Sequence, residues 1–380
     1  MKLDALRIDE STFTGRLHDE RVASRLGLAL AVTFTICFVT GLLSHLIQQP
    51  PAWFIWPTRP VGIYRFSQGL HVISGIATIP LLLAKLYTVY PHLFTTPPIR
   101  SIMHAAERGS VFVLVGAAFF ELITGLLNIA HWYPWSFFFP SAHFAIAFVV
   151  VGSILVHIAI KLPVARRSLL PFREDDTSHQ STIAPSRRAF LLAAGAGVLA
   201  VTLATAGATV PWLRRVSVLA VRTGDGPQGV PVNKTAISAG VVQAAGDLNF
   251  RLTLSGPDGD VQYSLAQLQA MPQHTETLPI ACVEGWSADA TWTGVRIADL
   301  VAQVGGTPSN DVAFESLQQG GLSSRSLLPA LHARDPLSLL ALQLNGEELD
   351  IDHGFPCRLI APSRPGTLQT KWVGRIEVVT

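Results

Sequence analysis

Residues 26–47 read LGLALAVTFTICFVTGLLSHLI, a run without a single Asp, Glu, Lys or Arg. A helix needs about 20 mainly apolar residues to cross the hydrocarbon core of a bilayer. Further mainly apolar stretches of this length, with at most one charged residue each, lie at residues 66–87, 110–130, 142–162 and 189–210. The first run lacks the small-residue cleavage site of a removable signal peptide. The sequence therefore predicts an N-terminal all-α transmembrane helical bundle of about five spans.

The composition separates a lipid-facing part of the chain from a soluble one. Of the 380 residues, 49% are hydrophobic and 14% are charged, whereas ordinary globular domains have roughly 25% charged residues. We predict a four-helix membrane domain at residues 1–165, a linker with the fifth span at 166–221, and a soluble domain at 222–380. The net charge is +2 without long basic runs, which argues against a nucleic-acid partner.

Lys and Arg are concentrated in alternate loops, which are cytoplasmic by the positive-inside rule. These flanks contain Lys2, Arg7, Arg16, Arg21, Arg25, Lys85, Arg100, Arg108, Lys161, Arg166, Arg167, Arg173, Arg187 and Arg188. The first outer loop contains only Arg59 and Arg65. We therefore expect a multi-pass protein in contact with the lipid of the cytoplasmic membrane. Its N-terminus would be cytoplasmic and its C-terminal domain extracytoplasmic.

Residues 186–191, SRRAFL, stand directly before the predicted fifth span. This stretch is similar to the twin-arginine export signal. That route carries folded proteins, so the similarity implies a domain that receives its cofactor in the cytoplasm. The alternative is a plain positively charged anchor, for which any two arginines would suffice.

Four histidines fall within predicted spans, where an ionisable side chain indicates function. We expect His45 to be interfacial, and His71, His143 and His157 are the functional candidates. His143 and His157 are separated by about four helical turns, so they share one helix face roughly 21 Å apart. His71 enters the second span one turn before Gly75. Histidines in this pattern suit the axial ligands of haem iron. The alternative is that they satisfy buried polar contacts or mark helix ends.

The stretch HVISG at residues 71–75, with the spacing of His143 and His157, resembles the membrane b-type cytochromes of the formate dehydrogenase and cytochrome b561 group. The resemblance covers residues 25–161. It implies that His71 and His143 hold an outer haem b and that His157 binds an inner one. Leu26 and Gly27 stand where those subunits have the second inner ligand, so one or two haems are possible. Such a cytochrome would exchange electrons with quinone or quinol.

Short alternating stretches after residue 240 predict an α+β fold dominated by strands. The predicted strands are at 248–254, 261–263, 312–317, 339–344, 357–361 and 376–379, with helices at 264–270 and 297–304. Ser264 is a predicted helix cap, and Asn345-Gly346 is a strong hairpin signal.

The three cysteines are in different settings. Cys37 lies in an apolar run and Cys357 in an apolar strand, so we predict packing roles for both. Cys282 stands where a strand meets a glycine-containing turn. No histidine is adjacent to it, as a protease nucleophile would need, and no Cys-x-x-Cys accompanies it, as zinc sites have. A lone thiolate is a soft metal ligand.

Residues 281–287, ACVEGWS, followed by WTGV at 292–295, resemble the cysteine loop of the sulfite oxidase family. They are closer to its bacterial branch with the periplasmic methionine sulfoxide reductase. A second stretch, HGFPCRLIAP at 353–362 with TKWVG at 370–374, resembles the strand that cradles the pterin phosphate. The resemblance covers about residues 230–380. It implies a C-terminal α+β sulfite oxidase-type molybdopterin-binding domain.

The same resemblance implies roles for individual residues. Cys282 would bind molybdenum at the catalytic centre, and Arg358 would pair with the pterin phosphate, a geometry that suits a guanidinium. Further cofactor contacts would come from Asn233, Ser316, His353, Gln369, Thr370 and Lys371. The chain departs from the branch at Ser316, which replaces Thr, at His353, which replaces Asn, and at residues 363–366, SRPG.

Together these features predict a membrane-anchored molybdenum oxidoreductase that acts on a small oxo-substrate, by sulfoxide reduction or by sulfite-type oxidation. Two other hypotheses stay open. One is a cofactor-free binding module on a membrane anchor. The other is an electron-transfer cytochrome with a structural outer domain.

Overall fold

The computed structural model describes residues 17–94, 97, 99–169, 186–221, 226–321 and 324–379. Its five long helices are α1 (Glu20–Gln48), α2 (Ile63–Val89), α3 (Ile102–Ile129), α4 (Phe139–Ser168) and α5 (Arg187–Thr205). Each is long and apolar enough to cross a membrane, which confirms the predicted five-helix part. The flanking cations Lys2, Arg7, Arg16 and Arg173 lie outside the described residues.

The fifth helix ends earlier than the apolar pattern predicted. The sequence favoured a span to residue 210, but the α-helix stops at Thr205 and a 3₁₀ turn follows at Ala206–Ala208. A Cβ atom at Gly207 would come within 2.6 Å of Ser217 Cβ. Because only glycine permits this close approach, the chain turns here although its residues remain apolar.

Contacts divide the chain into two compact units. The first comprises Met1–Leu42 and Leu70–Thr205, and the second comprises Leu43–Gly69 and Ala206–Thr380. Residues 43–69 comprise the end of α1, the link and the start of α2, and they belong to the unit that contains the strands.

In the first unit, polar side chains of the helices bond inside the bundle. Thr78 donates its hydroxyl proton to Thr33 Oγ1 over 2.8 Å, and Lys85 Nζ donates to the Ala23 carbonyl over 2.6 Å. Arg187 pairs with Asp19 at 2.7 Å. Apolar packing around Leu26 and Leu82 completes this core. Polar groups are costly in hydrocarbon without partners, so these contacts suit helices surrounded by lipid.

The second unit is built on two five-stranded sheets. The strands are β1 (Arg251–Gly256), β2 (Gly259–Ser264), β3 (His274–Ala281), β4 (Ser287–Arg296), β5 (Asp311–Ser316), β6 (Arg325–Leu328), β7 (Leu339–Leu344), β8 (Glu347–Glu348), β9 (Arg358–Ile360) and β10 (Val373–Val379). One sheet has the order β2-β1-β10-β5-β6, with β1 and β10 parallel. In the other, β3-β4-β7-β8 run in order and β9 also pairs with β7.

Five short helices complete the second unit, and local signals in the sequence explain several of its turns. The helices are α6 (Ala236–Ala239), α7 (Val242–Ala245), α8 (Leu265–Ala270), α9 (Ile297–Ala302) and α10 (Ala330–Ala333). Ser264 caps α8 in a capping box with Gln267. Asn345 and Gly346 join β7 to β8 with φ angles of 53° and 87°, as a type I′ turn requires.

Two strand boundaries differ from the sequence prediction. The predicted strand at 248–254 begins only at Arg251, because a turn closes before it, with Phe250 N donating to the Asp247 carbonyl over 3.0 Å. The last strand begins at Val373 rather than at residue 376. The strand therefore begins two residues after Lys371, next to the predicted site.

Cys357 is fully buried in the apolar core of the second unit, beside β9. Its Sγ atom lies 3.3 Å from the Val373 carbonyl, to which it donates. Burial raises the pKa of this thiol far above its usual range. The predicted packing role of Cys357 therefore agrees with its surroundings.

Candidate functional site

A tight turn between β3 and β4 holds Cys282. The Cys282 amide donates to the Trp286 carbonyl over 2.9 Å, and the Gly285 amide donates back to the Cys282 carbonyl over 3.0 Å. Gly285 has φ of 89°, a backbone conformation that favours glycine. Cys282 is only 1% exposed. We call residues 282–286 the cysteine loop.

A pocket opens beside this loop, and distant parts of the second unit form its walls. It is lined by Val230, Pro231, Val232, Asn233, Ile280, Cys282, Trp286, His353, Arg358, Gly366 and Lys371. The predicted site residues Asn233, Cys282, His353, Arg358 and Lys371 are thus brought together. The apolar wall at 230–232 carries no motif, and sequence reasoning missed it.

Three other predicted contacts do not line this pocket, and their side chains are engaged within the protein. Ser316 donates its hydroxyl to the Lys371 carbonyl over 2.8 Å. Thr370 and Ser326 share a hydroxyl hydrogen bond of 2.6 Å. Gln369 donates its side-chain amide to the Arg364 carbonyl over 2.9 Å. These hydrogen bonds connect the segment at residues 364–371 internally and to residues 316 and 326. Direct contact of the three side chains with the cofactor stays a prediction.

Arg358 is a buried cation that hydrogen-bonds only to carbonyls in the described part of the chain. Its guanidinium donates to the carbonyls of His353 at 2.9 Å and Gln369 at 3.4 Å. It lies 5.0 Å from the centroid of the Trp292 ring. Burial lowers its pKa to about 9, and its Nε has no partner among the described residues. A buried charge needs a counter-charge, so this position favours an anionic ligand.

Lys371 and His353 extend the polar wall beside Arg358. Lys371 Nζ donates to the carbonyls of Lys234 and Asp352, at 2.5 and 2.9 Å. Burial, followed by the charge of Arg358, lowers the pKa of Lys371 to about 7. The same two causes lower the pKa of His353 to about 4. His353 Nε2 lies 2.8 Å from the Pro227 carbonyl and therefore donates to it from a neutral ring.

The donor set fits a molybdopterin group. A thiol suitable for a soft metal stands on one side of the pocket. Arg358 and Lys371 form a cationic side that suits a phosphate. The buried Nε of Arg358, which has no partner among the described residues, is a further group that a ligand can satisfy.

Comparison with known proteins agrees with this fit. Residues 239–380 match the family model of the oxidoreductase molybdopterin binding domain. Sulfite oxidase of Rattus norvegicus is 31% identical over 157 residues, which cover 34% of this chain and 29% of that protein. The putative protein-methionine-sulfoxide reductase subunit YedZ1 of Azospira oryzae is 31% identical over 131 residues, covering 34% and 49%. The uncharacterized oxidoreductase YuiH of Bacillus subtilis is 28% identical over 165 residues, covering 41% and 82%.

The chain thus spans less than a third of the sulfite oxidase that it matches. Its C-terminal part is a molybdopterin-binding oxidoreductase domain, similar to sulfite oxidase and to YedZ-like proteins. The predicted fold class, with five apolar helices before this domain, is confirmed. A molybdenum cofactor follows from the domain.

The first unit brings two of the predicted haem ligands together. The ring centroids of His71 and His143 are 6.3 Å apart. His71 Nδ1 lies 3.0 Å from the Cys37 carbonyl and 3.2 Å from Thr40 Oγ1. Because a carbonyl only accepts, this nitrogen carries the proton and Nε2 keeps its lone pair.

The two histidines are supported in a matching way by different helices. Thr40 and Gly41 of α1 stand against His71 of α2, where a Cβ on Gly41 would lie 3.0 Å from the ring. A second Thr-Gly pair, at 124–125 of α3, stands against His143 of α4, with Thr124 Oγ1 at 3.3 Å from Nδ1 and an added Cβ at 3.7 Å from the ring. His143 Nε2 also meets Glu121 at 3.1 Å.

His157 is in a different environment from this pair. The charged groups that act on it are Lys85, Lys161 and Glu107, and Lys161 pairs with Glu107 at 2.5 Å. The described residues therefore surround His157 with ionic side chains of the bundle. Its role as a ligand of an inner haem stays a prediction.

We predict that the cofactor-free protein becomes more stable as the pH rises from about 7 to about 10. Lys371 titrates near 7 in the folded chain but near about 10.4 when unfolded. Between these values the unfolded chain binds more protons, so the free energy of unfolding increases with pH. Thermal unfolding of the detergent-solubilised protein, followed by Trp fluorescence, measures this. Lys371→Met should flatten the rise, and an equally steep rise in that variant would contradict the assignment.

Proposed function

We propose that this chain is a membrane-anchored, molybdenum-dependent oxidoreductase that acts outside the cytoplasmic membrane on a small oxo-substrate. It exchanges electrons with the quinone pool through haem b. The observation that carries the proposal is the pocket in which the Cys282 thiol and the buried Arg358 guanidinium stand together. A thiolate and an uncompensated cation are the two features that a metal-bearing pterin phosphate needs from a protein.

Within this pocket each residue has a distinct task. The Cys282 thiolate is the protein's metal ligand, held by the cysteine loop. Arg358 and Lys371 would bind the phosphate of the cofactor, and its negative charge would raise the pKa of both cations towards their ordinary values. Asn233 and His353 contribute polar contacts along the pocket. The bound group supplies the oxygen-atom or two-electron chemistry, while the protein sets its position and electrostatics.

The haem proposal rests on the geometry of His71 and His143. His71 and His143 would hold the haem iron together, which requires their rings to lie close to each other. The two rings are 6.3 Å apart. Each Nδ1 contacts a threonine, which orients the ring as partners of metal-binding histidines do. At His143 the iron would replace Glu121 as the partner of Nε2. The proposal covers one haem at this pair, with His157 as the predicted ligand of a second.

Of the two substrate classes, the pocket favours a neutral sulfoxide over anionic sulfite. Arg358 and Lys371 are assigned to the cofactor, and the neighbouring wall at Val230, Val232 and Ile280 is apolar. A neutral, partly apolar sulfoxide loses less hydration than an anion does on such a wall. Sulfoxide reduction fed by quinol is therefore the preferred direction, and sulfite-type oxidation is the competitor.

The location outside the membrane rests on the charges that flank the spans. Arg187 and Arg188 begin α5. The loops on the same predicted side of the membrane contain most of the other Lys and Arg residues that flank the spans. The twin-arginine similarity at residues 186–191 supports the same side. Export in the folded state would fit a domain that binds its cofactor before translocation.

One experiment tests activity and orientation together. Spheroplasts and inverted vesicles with the full-length protein are given a membrane-impermeant viologen donor and a panel of sulfoxides, or sulfite with ferricyanide. We expect sulfoxide-dependent viologen oxidation in spheroplasts and little in inverted vesicles. Activity only in inverted vesicles would refute the orientation. A turnover confined to sulfite and ferricyanide would reverse the preferred direction, and inactivity in every assay of molybdenum-loaded protein would refute the proposed function.

A further inference from the structure

The cysteine loop is held by residues that lie outside the matched domain at 239–380. We infer that Gln68 and Thr209 are positioning residues that fix the cysteine loop by donating hydrogen bonds to its Val283 and Gly285 carbonyls. The inference rests on the proposed role of Cys282 as the molybdenum ligand. Gln68 and Thr209, both outside the matched domain, would then help to position the metal ligand.

Gln68 is a buried donor aimed at the residue after the thiol. It is 6% exposed, and its side-chain Nε2 donates to the Val283 carbonyl over 3.2 Å. Long amide side chains lose rotamer entropy on burial, so a buried Gln is retained where its hydrogen bonds are satisfied. Here that bond joins residue 68 to the cysteine loop within the second unit.

Thr209 holds the other side of the same loop. Its hydroxyl donates to the Gly285 carbonyl, and its own carbonyl accepts from Ser287 Oγ over 2.8 Å. Thr209 is 5% exposed. A Cβ on Gly69 would lie 3.3 Å from Thr209 Cγ2, so the two positioning segments pack closely against each other.

Apolar contacts also join residues 43–69 to the start of the cysteine loop. Ala281, the residue before Cys282, packs in a buried cluster with Ile47 and Tyr64. In addition, Trp56 Nε1 donates to Ser363, with 2.7 Å to the carbonyl and 2.9 Å to Oγ. Residues 43–69 thus contact the chain at residues 281–283 and at residue 363.

The consequence concerns the sulfur atom. The backbone bonds inside the cysteine loop join Cys282 to Gly285 and to Trp286, whereas the donors Gln68 and Thr209 lie outside the loop. Losing one of these donors removes a hydrogen bond at the half-buried Val283 or at the buried Gly285, which favours loop opening. The thiol then samples more positions, and a metal bound to it experiences a less uniform ligand field.

The first test uses the full-length, cofactor-free protein and needs no activity. N-ethylmaleimide modification is followed by peptide mass spectrometry at Cys282, with buried Cys357 as the internal reference. Thr209→Val keeps the shape and removes the donor, whereas Thr209→Ser keeps the donor. We expect modification at Cys282 to become about fivefold faster in Thr209→Val and in Gln68→Met, from the usual worth of one hydrogen bond. Thr209→Ser should stay within about twofold of the natural protein.

Matched controls separate loop positioning from general loosening. Gln273→Met removes an exposed amide donor to the Leu268 and Met271 carbonyls, which do not line the pocket. Arg65→Ala removes the ion pair with Asp289 but leaves both carbonyl donors in place. In both control variants, N-ethylmaleimide should modify Cys282 at the rate measured for the natural protein. Equal rates in all variants, or equal acceleration in Gln273→Met and Arg65→Ala, would overturn the inference.

The second test addresses the metal. In molybdenum-loaded protein, Thr209→Val should broaden or shift the Mo(V) electron paramagnetic resonance signal, and Thr209→Ser should restore it. An unchanged signal in Thr209→Val would overturn the claim that these residues set the metal geometry. If the natural protein itself contains no molybdenum after expression in a competent host, the proposed function fails, while the maleimide rates still report on the loop.

Discussion

Replacing Cys282 with serine is expected to lower substrate-dependent electron transfer by more than about a hundredfold, because even the loss of an outer partner of a metal ligand costs about 10–100-fold. Serine is nearly isosteric, so the turn closed by Trp286 and Gly285 can still form. The hydroxyl is a harder ligand that stays protonated, whereas a thiolate is soft and charged. The measurements are turnover with a viologen donor and the molybdenum content of the purified protein.

The matched control is Cys357→Ser. Cys357 is equally buried, but its sulfur donates to the Val373 carbonyl and a serine hydroxyl can keep that bond. We expect this variant to retain most of its activity at some cost in stability. Full activity in Cys282→Ser would leave the electron-transfer cytochrome with a structural outer domain as the better hypothesis.

The second large effect is expected in the first unit, where His71→Ala and His143→Ala should each abolish the b-type band of the outer haem. Each iron of this kind needs both axial ligands, and the two rings stand 6.3 Å apart, so neither variant retains a complete site. Reduced-minus-oxidised spectra of membranes with equal amounts of protein measure the loss.

His131→Asn is the control for these spectra. His131 is an exposed residue after α3 with φ of 55°, and asparagine tolerates this backbone conformation. The b-type band should be unchanged in this variant. Unaltered bands in both His71→Ala and His143→Ala would refute the assignment of the ligands, whatever the fate of the molybdenum site.

Local signals in the sequence predicted most of the elements but not what braces them. The apolar runs predicted the five helices, and Asn345-Gly346 predicted a hairpin that forms. The motifs predicted Cys282, Arg358 and Lys371 as site residues, and these three line one pocket. By contrast, Gln68 and Thr209 lie far from residue 283 in the chain, and neither belongs to a motif. Contacts between distant segments depend on packing, which a single sequence does not display.

The side chains of two predicted cofactor contacts show the same limit. Ser316 and Thr370 are polar residues in motif positions, which favoured direct ligand contacts. In the structure each finds a protein partner, Lys371 and Ser326 respectively. Residue type states what a side chain can bond to, but competition between nearby partners decides where the bond goes.

The matching Thr-Gly supports of His71 and His143 have a consequence for biogenesis. One half of the site belongs to the pair α1 and α2, and the other half to α3 and α4. The ribosome makes these helical hairpins one after the other, so the second ligand is available only once α4 has been synthesised. A ligand that engages both halves stabilises their association by mass action. Haem bound by both histidines would therefore stabilise the association of the two helical hairpins after both have been inserted.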